Sequence, residues 1–144
     1  VFNDGIYYNR ITTNAIDEDI MVAYWSSGWS GYNVASASFL ADQGFQMINT
    51  NGDYYWVLGK DAQCSAEKAA GFDATAFMGS STISDPAGAM FCIWCDVPGA
   101  DTADSIVADT KDAIIAFGGA LTGTTEDGGN ESGITDGNVT DENT

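Results

Sequence analysis

The sequence predicts an α/β fold, half of a closed (β/α) barrel followed by an acidic tail. Three observations carry this expectation. Strand, loop and helix recur in that order three times, and strands that read as continuous apolar runs belong to parallel sheets with helices outside. The strand endings at Asp4, Trp25, Asn49 and Asp96 are rich in polar or aromatic residues, and in a barrel such endings share the rim that carries sites. A parallel edge left open on the Val1 side would expose unpaired backbone, which half of a larger barrel explains better than a complete small domain does.

The elements follow in order. Val1-Phe2-Asn3-Asp4 reads as the end of a strand, followed by Gly5-Ile6-Tyr7-Tyr8 and a polar loop over residues 9–19. Residues 20–25 form an apolar run of strand length, and the glycine-serine loop after it carries Trp29 and Tyr32. Val34, Ala35, Ala37, Phe39, Leu40 and Ala41 repeat with helical spacing, with Ser36 or Asn33 as the cap and Gly44 where a helix-ending glycine belongs. Residues 45–48 form the next strand. Ser65 caps a short helix over residues 65–70 with Glu67 in its first turn. Residues 71–88 are loop-rich, and residues 89–94 form a further strand. Asp101 or Thr102 then caps a helix that runs to about Phe117, with Ile106, Val107, Ile114 and Ile115 as its apolar stripe. The expected domain is residues 1–117. Residues 118–144 carry six acids and no base among Gly, Thr, Asn and Asp, and read as a disordered acidic linker.

Composition limits the function. The 144 residues suffice for one domain, and 44% of them are hydrophobic. Twenty-one acids against Arg10, Lys60, Lys68 and Lys111 leave a formal charge of −17, which disfavours nucleic acid and anionic membrane surfaces as partners. A neutral ligand fits better, and 12% aromatics with abundant Asn, Ser and Thr suit a sugar. The absence of histidine removes Ser-His-Asp and Cys-His catalysis and the commonest zinc sites. The three cysteines show no framework spacing; Cys92-Ile93-Trp94-Cys95 lies in a strand, so buried free thiols or one bridge to Cys64 are the expected states. No stretch is long and apolar enough to span a bilayer. A start at Val1, without an initiator methionine or signal-peptide pattern, reads as a chain cut from something longer.

The organising stretch is residues 46–59. A short strand breaks into Asn49-Thr50-Asn51-Gly52-Asp53, whose side chains bond their own backbone. Three aromatics, Tyr54, Tyr55 and Trp56, follow at once. A strand that ends in a polar turn and then presents aromatics is how α/β proteins build ligand sites; the alternative is a loop whose aromatics fold onto the core.

The strand-end segments Val1-Phe2-Asn3-Asp4-Gly5-Ile6-Tyr7-Tyr8, Tyr24-Trp25-Ser26-Ser27-Gly28-Trp29-Ser30-Gly31-Tyr32, Ile48-Asn49-Thr50-Asn51-Gly52-Asp53-Tyr54-Tyr55-Trp56 and Ile93-Trp94-Cys95-Asp96-Val97-Pro98 resemble, in this order, consecutive motifs of family 20 glycoside hydrolases. That family holds the β-N-acetylhexosaminidases and lacto-N-biosidases, and the likeness is to large surface-anchored bacterial members. The resemblance covers residues 1 to about 117. It implies the (β/α)8 TIM barrel, with this chain as strands five to eight and their helices. It also implies retaining hydrolysis of terminal β-linked N-acetylhexosamine, the substrate's acetamido oxygen acting as nucleophile. No cofactor or metal is implied. The expected partners are a glycan substrate and further domains of a parent chain, with neither nucleic acid nor membrane insertion, in an extracellular or cell-surface setting.

The resemblance also assigns residues. Tyr55 matches the tyrosine that donates to the acetamido carbonyl, with Tyr54 the alternative one position earlier. Trp94 matches the tryptophan that stacks on the sugar, and Asp96 the carboxylate that accepts from its hydroxyls. Trp25 matches a wall of the acetamido pocket, whereas Phe2 stands where many members carry another tryptophan. Asp4 is either a rim acceptor or a structural cap. Trp29, Tyr32 and Tyr54 are placed for a second sugar. The family's Asp-Glu acid/base pair has no match: Asp17-Glu18 precedes a strand, and Glu126-Asp127 and Asp141-Glu142 lie in the linker. The chain alone is therefore expected to be inactive. A non-catalytic carbohydrate-binding module with an aromatic pocket is the competing expectation, and an interaction domain without a ligand is a third.

Overall fold

The computed structural model of the chain describes residues 2–3, 17, 19–29, 34–58, 64–95, 97, 99 and 101–123. Phe2 bridges Ala23 in parallel. Beside it lie β1 (Val22–Tyr24), β2 (Met47–Asn49) and β6 (Gly88–Ala89), hydrogen-bonded in that order and all parallel, with Val22 opposite Met47 and Ile48 opposite Gly88. A second parallel pair, β3 (Trp56–Leu58) and β7 (Ile93–Cys95), sets Val57 opposite Trp94. Within the region expected to be loop-rich, β4 (Ala76–Phe77) and β5 (Ser81–Thr82) form a small antiparallel hairpin.

The single strand expected over residues 89–94 is instead two, β6 and β7, separated by Met90-Phe91-Cys92. The cause lies in the partner strand. β2 ends at Asn49 and turns, so β6 loses its ladder after Met90 N donates to Asn49 O at 3.0 Å. Pairing resumes beyond the turn, where Trp56 N donates to Cys92 O at 3.0 Å. A strand follows the partner that satisfies its backbone.

Alternation along β1 directs Val22 and Tyr24 outward onto α1 (Ala37–Asp42), where they join Leu40, Phe45, Met47 and Phe77 in a buried core. Burial of each of these large side chains contributes about 1.5–3 kcal/mol. Of the two candidate caps, Ser36 is the one used: its Oγ accepts from Phe39 N at 3.2 Å, while Asn33 lies outside the described residues. Gly44 takes φ 99° just past the helix, a conformation that favours glycine and lets the chain turn straight into β2.

Ser65 caps α2 (Ala66–Ala70) through Lys68 N. Thr102 caps α3 (Ala103–Thr122), and Ser105 reciprocates in a capping box. The expected boundary at Phe117 falls inside this helix. Gly118 and Gly119 each cost a helix about 1 kcal/mol. Nevertheless Ala113 and Phe117 are buried with Phe72, and Ala116 and Ala120 pack against them, so the turn continues. The helix ends where Gly123 adopts a left-handed φ of 69°. Residues 124–144 of the expected linker lie outside the described residues. Of the two expected cysteine states, buried free thiols are the one found at Cys64 and Cys92, and no bridge to Cys64 is formed. Among the described residues no helix is long and apolar enough to cross a membrane.

Candidate functional site

Three aromatic side chains converge on the carboxyl side of the parallel sheet. Trp25 follows β1, Tyr55 follows the turn after β2, and Trp94 lies in β7, beyond β6. Their rings form a triangle: Trp25–Tyr55 at 6.2 Å, Trp25–Trp94 at 6.1 Å and Tyr55–Trp94 at 5.7 Å between centroids. The interplanar angles are only 18°, 28° and 25°, the offset-stacked arrangement that ring quadrupoles favour. Tyr55 is buried at 7% exposure, whereas Trp94 is 44% exposed. Trp29 continues the surface outward, tilted 44° against Trp25 at 5.8 Å and itself 46% exposed. A half-open aromatic wall of this kind suits the apolar face of a ring-shaped ligand.

The turn that delivers Tyr55 is built by its own side chains. Asn49 is fully buried at the end of β2. Its Nδ2 donates to Ala76 O at 2.9 Å and Ala74 O at 3.0 Å, and its Oδ1 accepts from Asn51 N at 3.2 Å. Asn51 Oδ1 accepts from Asp53 N at 2.9 Å and caps the short 3₁₀ turn Gly52–Tyr54. That turn leaves Tyr55 extended, with φ −80° and ψ 148°. The loop Asn49 holds is fastened again by Asp73, whose Oδ1 accepts from Thr75 N and Thr75 Oγ1, both at 2.8 Å. These bonds hold the Asp73 carboxyl below its ordinary value.

Trp25 is held through its backbone. Its N–H donates to Asn3 Oδ1 at 3.0 Å, and Asn3 Nδ2 donates to Ser26 O at 2.8 Å. On the other side Gly52 N donates to Trp25 O at 3.0 Å. A Cβ at Gly52 would lie 2.9 Å from that same oxygen and 3.6 Å from the indole Cε3, so only glycine fits there without displacement.

Tyr54 is not brought to this cluster. Its ring packs edge-on against Phe72 at 4.9 Å, 85° between planes, with Lys68 Nζ 5.3 Å from its centroid. Lys68 also donates to Asp53 O. Asp4, Asp96 and Tyr32 lie outside the described residues. Asp17 sits before β1, where its backbone and side-chain oxygens accept from Ile20 N and Asp19 N, both at 3.1 Å. It is thus at the opposite end of the strand from Trp25. Among the described residues no group of three or more His, Cys, Asp or Glu side chains gathers to hold a metal.

A cavity of about 320 Å³ lies at that opposite end as well, lined by Phe45, Gln46, Met47, Pro86 and Ala87 among others. It faces the beginnings of β2 and β6, and Asp85, its one acid, is exposed. The aromatic triangle is the better candidate, because ring faces and buried polar groups converge there. Sequence reasoning passed over Asn3 and did not foresee the close approach of Gly52 to Trp25. An asparagine directly after the apolar Val1-Phe2 is a faint signal of a buried amide; the Gly52 contact has none.

No family model matches the chain. Among solved structures it is similar to the tandem GH20 catalytic modules of the pneumococcal exo-β-D-N-acetylglucosaminidase StrH, at 29% identity over 85% of this chain and 32% of that one, with a TM-score of 0.71. A second structure, of the pneumococcal virulence factor StrH in work on its inhibition and on N-glycan recognition and hydrolysis, gives 31% identity, the same two coverages and a TM-score of 0.65. Dispersin B is similar at 22% identity over 84% of this chain and 42% of that one, with a TM-score of 0.65. The mixed α/β fold is therefore GH20-like. The chain spans about a third of the length of the StrH chains it matches.

Proposed function

We propose that the chain is the C-terminal half of a GH20 catalytic barrel, strands five to eight with their helices. Its parent would hydrolyse terminal β-linked N-acetylhexosamine by the substrate-assisted retaining route. The observation that carries this reading is the convergence of Trp25, Tyr55 and Trp94 at the carboxyl ends of a GH20-like parallel sheet. Trp25 and Tyr55 wall the acetamido group and exclude water from it, so sugars lacking the N-acetyl group lose those contacts. The Tyr55 hydroxyl donates to the acetamido carbonyl as its oxygen attacks the anomeric carbon. A donor held there orients the nucleophile and stabilises the charge that develops on the oxazolinium. Trp94 stacks on the sugar ring, and Asp96, two residues on, accepts from its hydroxyls. Of the two adjacent tyrosines Tyr55 is the acetamido contact, since Tyr54 is engaged by Phe72 and Lys68.

The acid/base carboxylate comes from outside these residues, because Asp17 lies at the wrong end of its strand. The chain by itself is inactive, and the sheet face turned away from α1 receives the other half of the barrel. The parent works outside the cell or at its surface, where glycans are presented.

The test is made on the full-length protein. N-acetylglucosamine-thiazoline should change tryptophan fluorescence saturably, and a chromogenic N-acetyl-β-hexosaminide should be hydrolysed. Tyr55→Phe should lower kcat by about 10²-fold while leaving ground-state binding nearly unchanged. Binding of the thiazoline without hydrolysis would favour a carbohydrate-binding module, and absence of both responses would sink the sugar pocket.

A further inference from the structure

We propose that Asn3 is a positioning residue for Trp25, acting as a side-chain peptide group that extends the parallel ladder one step past its end; the inference rests on reading Trp25, Tyr55 and Trp94 as the sugar pocket. Among the described residues, Phe2 and Ala23 make an isolated parallel bridge beside β1. Just past the end of β1, Trp25 N–H and Ser26 C=O are the groups left to satisfy on this side. Asn3 supplies both from one amide: Oδ1 accepts from Trp25 N at 3.0 Å and Nδ2 donates to Ser26 O at 2.8 Å.

Asn3 is 1% exposed and Ser26 7% exposed, so neither bond is exchanged cheaply for water. From the other side Gly52 N takes Trp25 O. Both polar backbone groups of Trp25 are thus fixed by neighbouring segments, and the close approach at Gly52 limits where its indole can lie. The ring that faces Tyr55 and Trp94 is set by residues that never touch the sugar.

The chemistry at position 3 is narrow. Aspartate keeps the acceptor for Trp25 N but sets a second anionic oxygen against Ser26 O. Alanine removes both bonds and leaves two buried backbone groups unsatisfied.

Asn3→Ala and Asn3→Asp in the full-length protein separate positioning from stability alone. The Trp25 and Trp94 indoles, 6.1 Å apart and inclined at 28°, should couple as a skewed pair and give an exciton couplet in circular dichroism, assigned by its loss in Trp94→Phe. In folded Asn3→Ala the couplet should collapse, kcat should fall about tenfold and KM should stay within about twofold, since a misplaced wall disturbs the attack geometry more than binding. Asn3→Asp should fall between Asn3→Ala and the parent. A folded Asn3→Ala that keeps the parent's couplet and kcat overturns the proposal. If Asn3→Ala does not fold, Asn3→Asp decides, and an unchanged couplet and kcat there overturn it equally. Should the parent hydrolyse no N-acetylhexosaminide, the functional reading fails, and the couplet of the variants still decides whether Asn3 orients Trp25.

Discussion

The molecule holds two aromatic clusters of opposite character, one of phenylalanines and one of tryptophans, each with one of two adjacent tyrosines. Between α2 and α3, Phe72 meets Tyr54, Phe117 meets Phe72, and Phe91 meets Phe117 at 85°, 42° and 61°. These tilted contacts include the buried Phe72 and Phe117 and close a core. At the strand ends Trp25, Tyr55 and Trp94 lie within 28° of parallel, with Trp94 nearly half exposed. The first cluster is held by apolar burial. The second is held by backbone hydrogen bonds from Asn3 and Gly52 and leaves apolar ring surface uncovered. Adjacent residues are divided between the two: Tyr54 serves the core and Tyr55 the open face. The presence of a tyrosine therefore says little about role; the means by which the rings are held, and what they leave open, says more.

The comparison breaks first if the core cluster proves dispensable. Phe72→Ala should destabilise folding by about 3–4 kcal/mol, measured by denaturant unfolding, and should leave thiazoline affinity of the folded fraction intact. Asn49→Ala is the next largest, about 2–3 kcal/mol, because it empties a fully buried position and removes the donor from the part-buried carbonyls of the 74–76 loop. Since Asn49 also starts the turn that delivers Tyr55, it should broaden the Tyr55 ring resonances, an effect Phe72→Ala should not share. Trp94→Ala sharpens the contrast from the other side. A 44% exposed ring should contribute less than about 1 kcal/mol to folding, yet its loss should weaken sugar binding about tenfold. Equal losses in both assays would erase the distinction between the clusters.

The smallest effect is electrostatic. The folded-state pKa of Asp73 is depressed, first by the Thr75 hydroxyl and then by the Thr75 amide. Its contribution to stability is therefore fully present above the unfolded carboxylate value and lost as pH falls through the lower folded value. Thr75→Val should lower the unfolding midpoint slightly at neutral pH, and the difference from the parent should vanish in strong acid. A difference that persists there would assign the loss to packing.

Local chemistry explains what could be read in advance. The existence of β1 and β2, the cap Ser65, a cap at Asp101 or Thr102, and the polar turn at Asn49 to Asp53 all depend on residues within a few positions of one another. Apolar runs, capping hydroxyls and turn asparagines act at that range. The likeness of four ordered motifs to GH20 also lay in the primary sequence, and the structural similarity to StrH agrees with it. The division of residues 89–94 into β6 and β7 was not legible, because it depends on where β2 turns away. Nor was the passage of α3 through Gly118 and Gly119 to Thr122, where packing by Phe72, Phe117 and Ala120 outweighs two unfavourable propensities.

That a strand ends in a polar turn and presents Tyr54, Tyr55 and Trp56 follows from local residue chemistry alone. Which tyrosine faces which cluster depends on the folded chain, because that choice rests on contacts from distant segments: Phe72 and Lys68 engage Tyr54, while Trp25 and Trp94 engage Tyr55. The same holds for Asn3. Its identity is plain in the first few residues, but its amide gains meaning only when β1 is laid beside it, more than twenty positions along the chain. Hydrogen bonds and ring contacts between remote segments are set by the geometry of the whole sheet, and no local pattern encodes them.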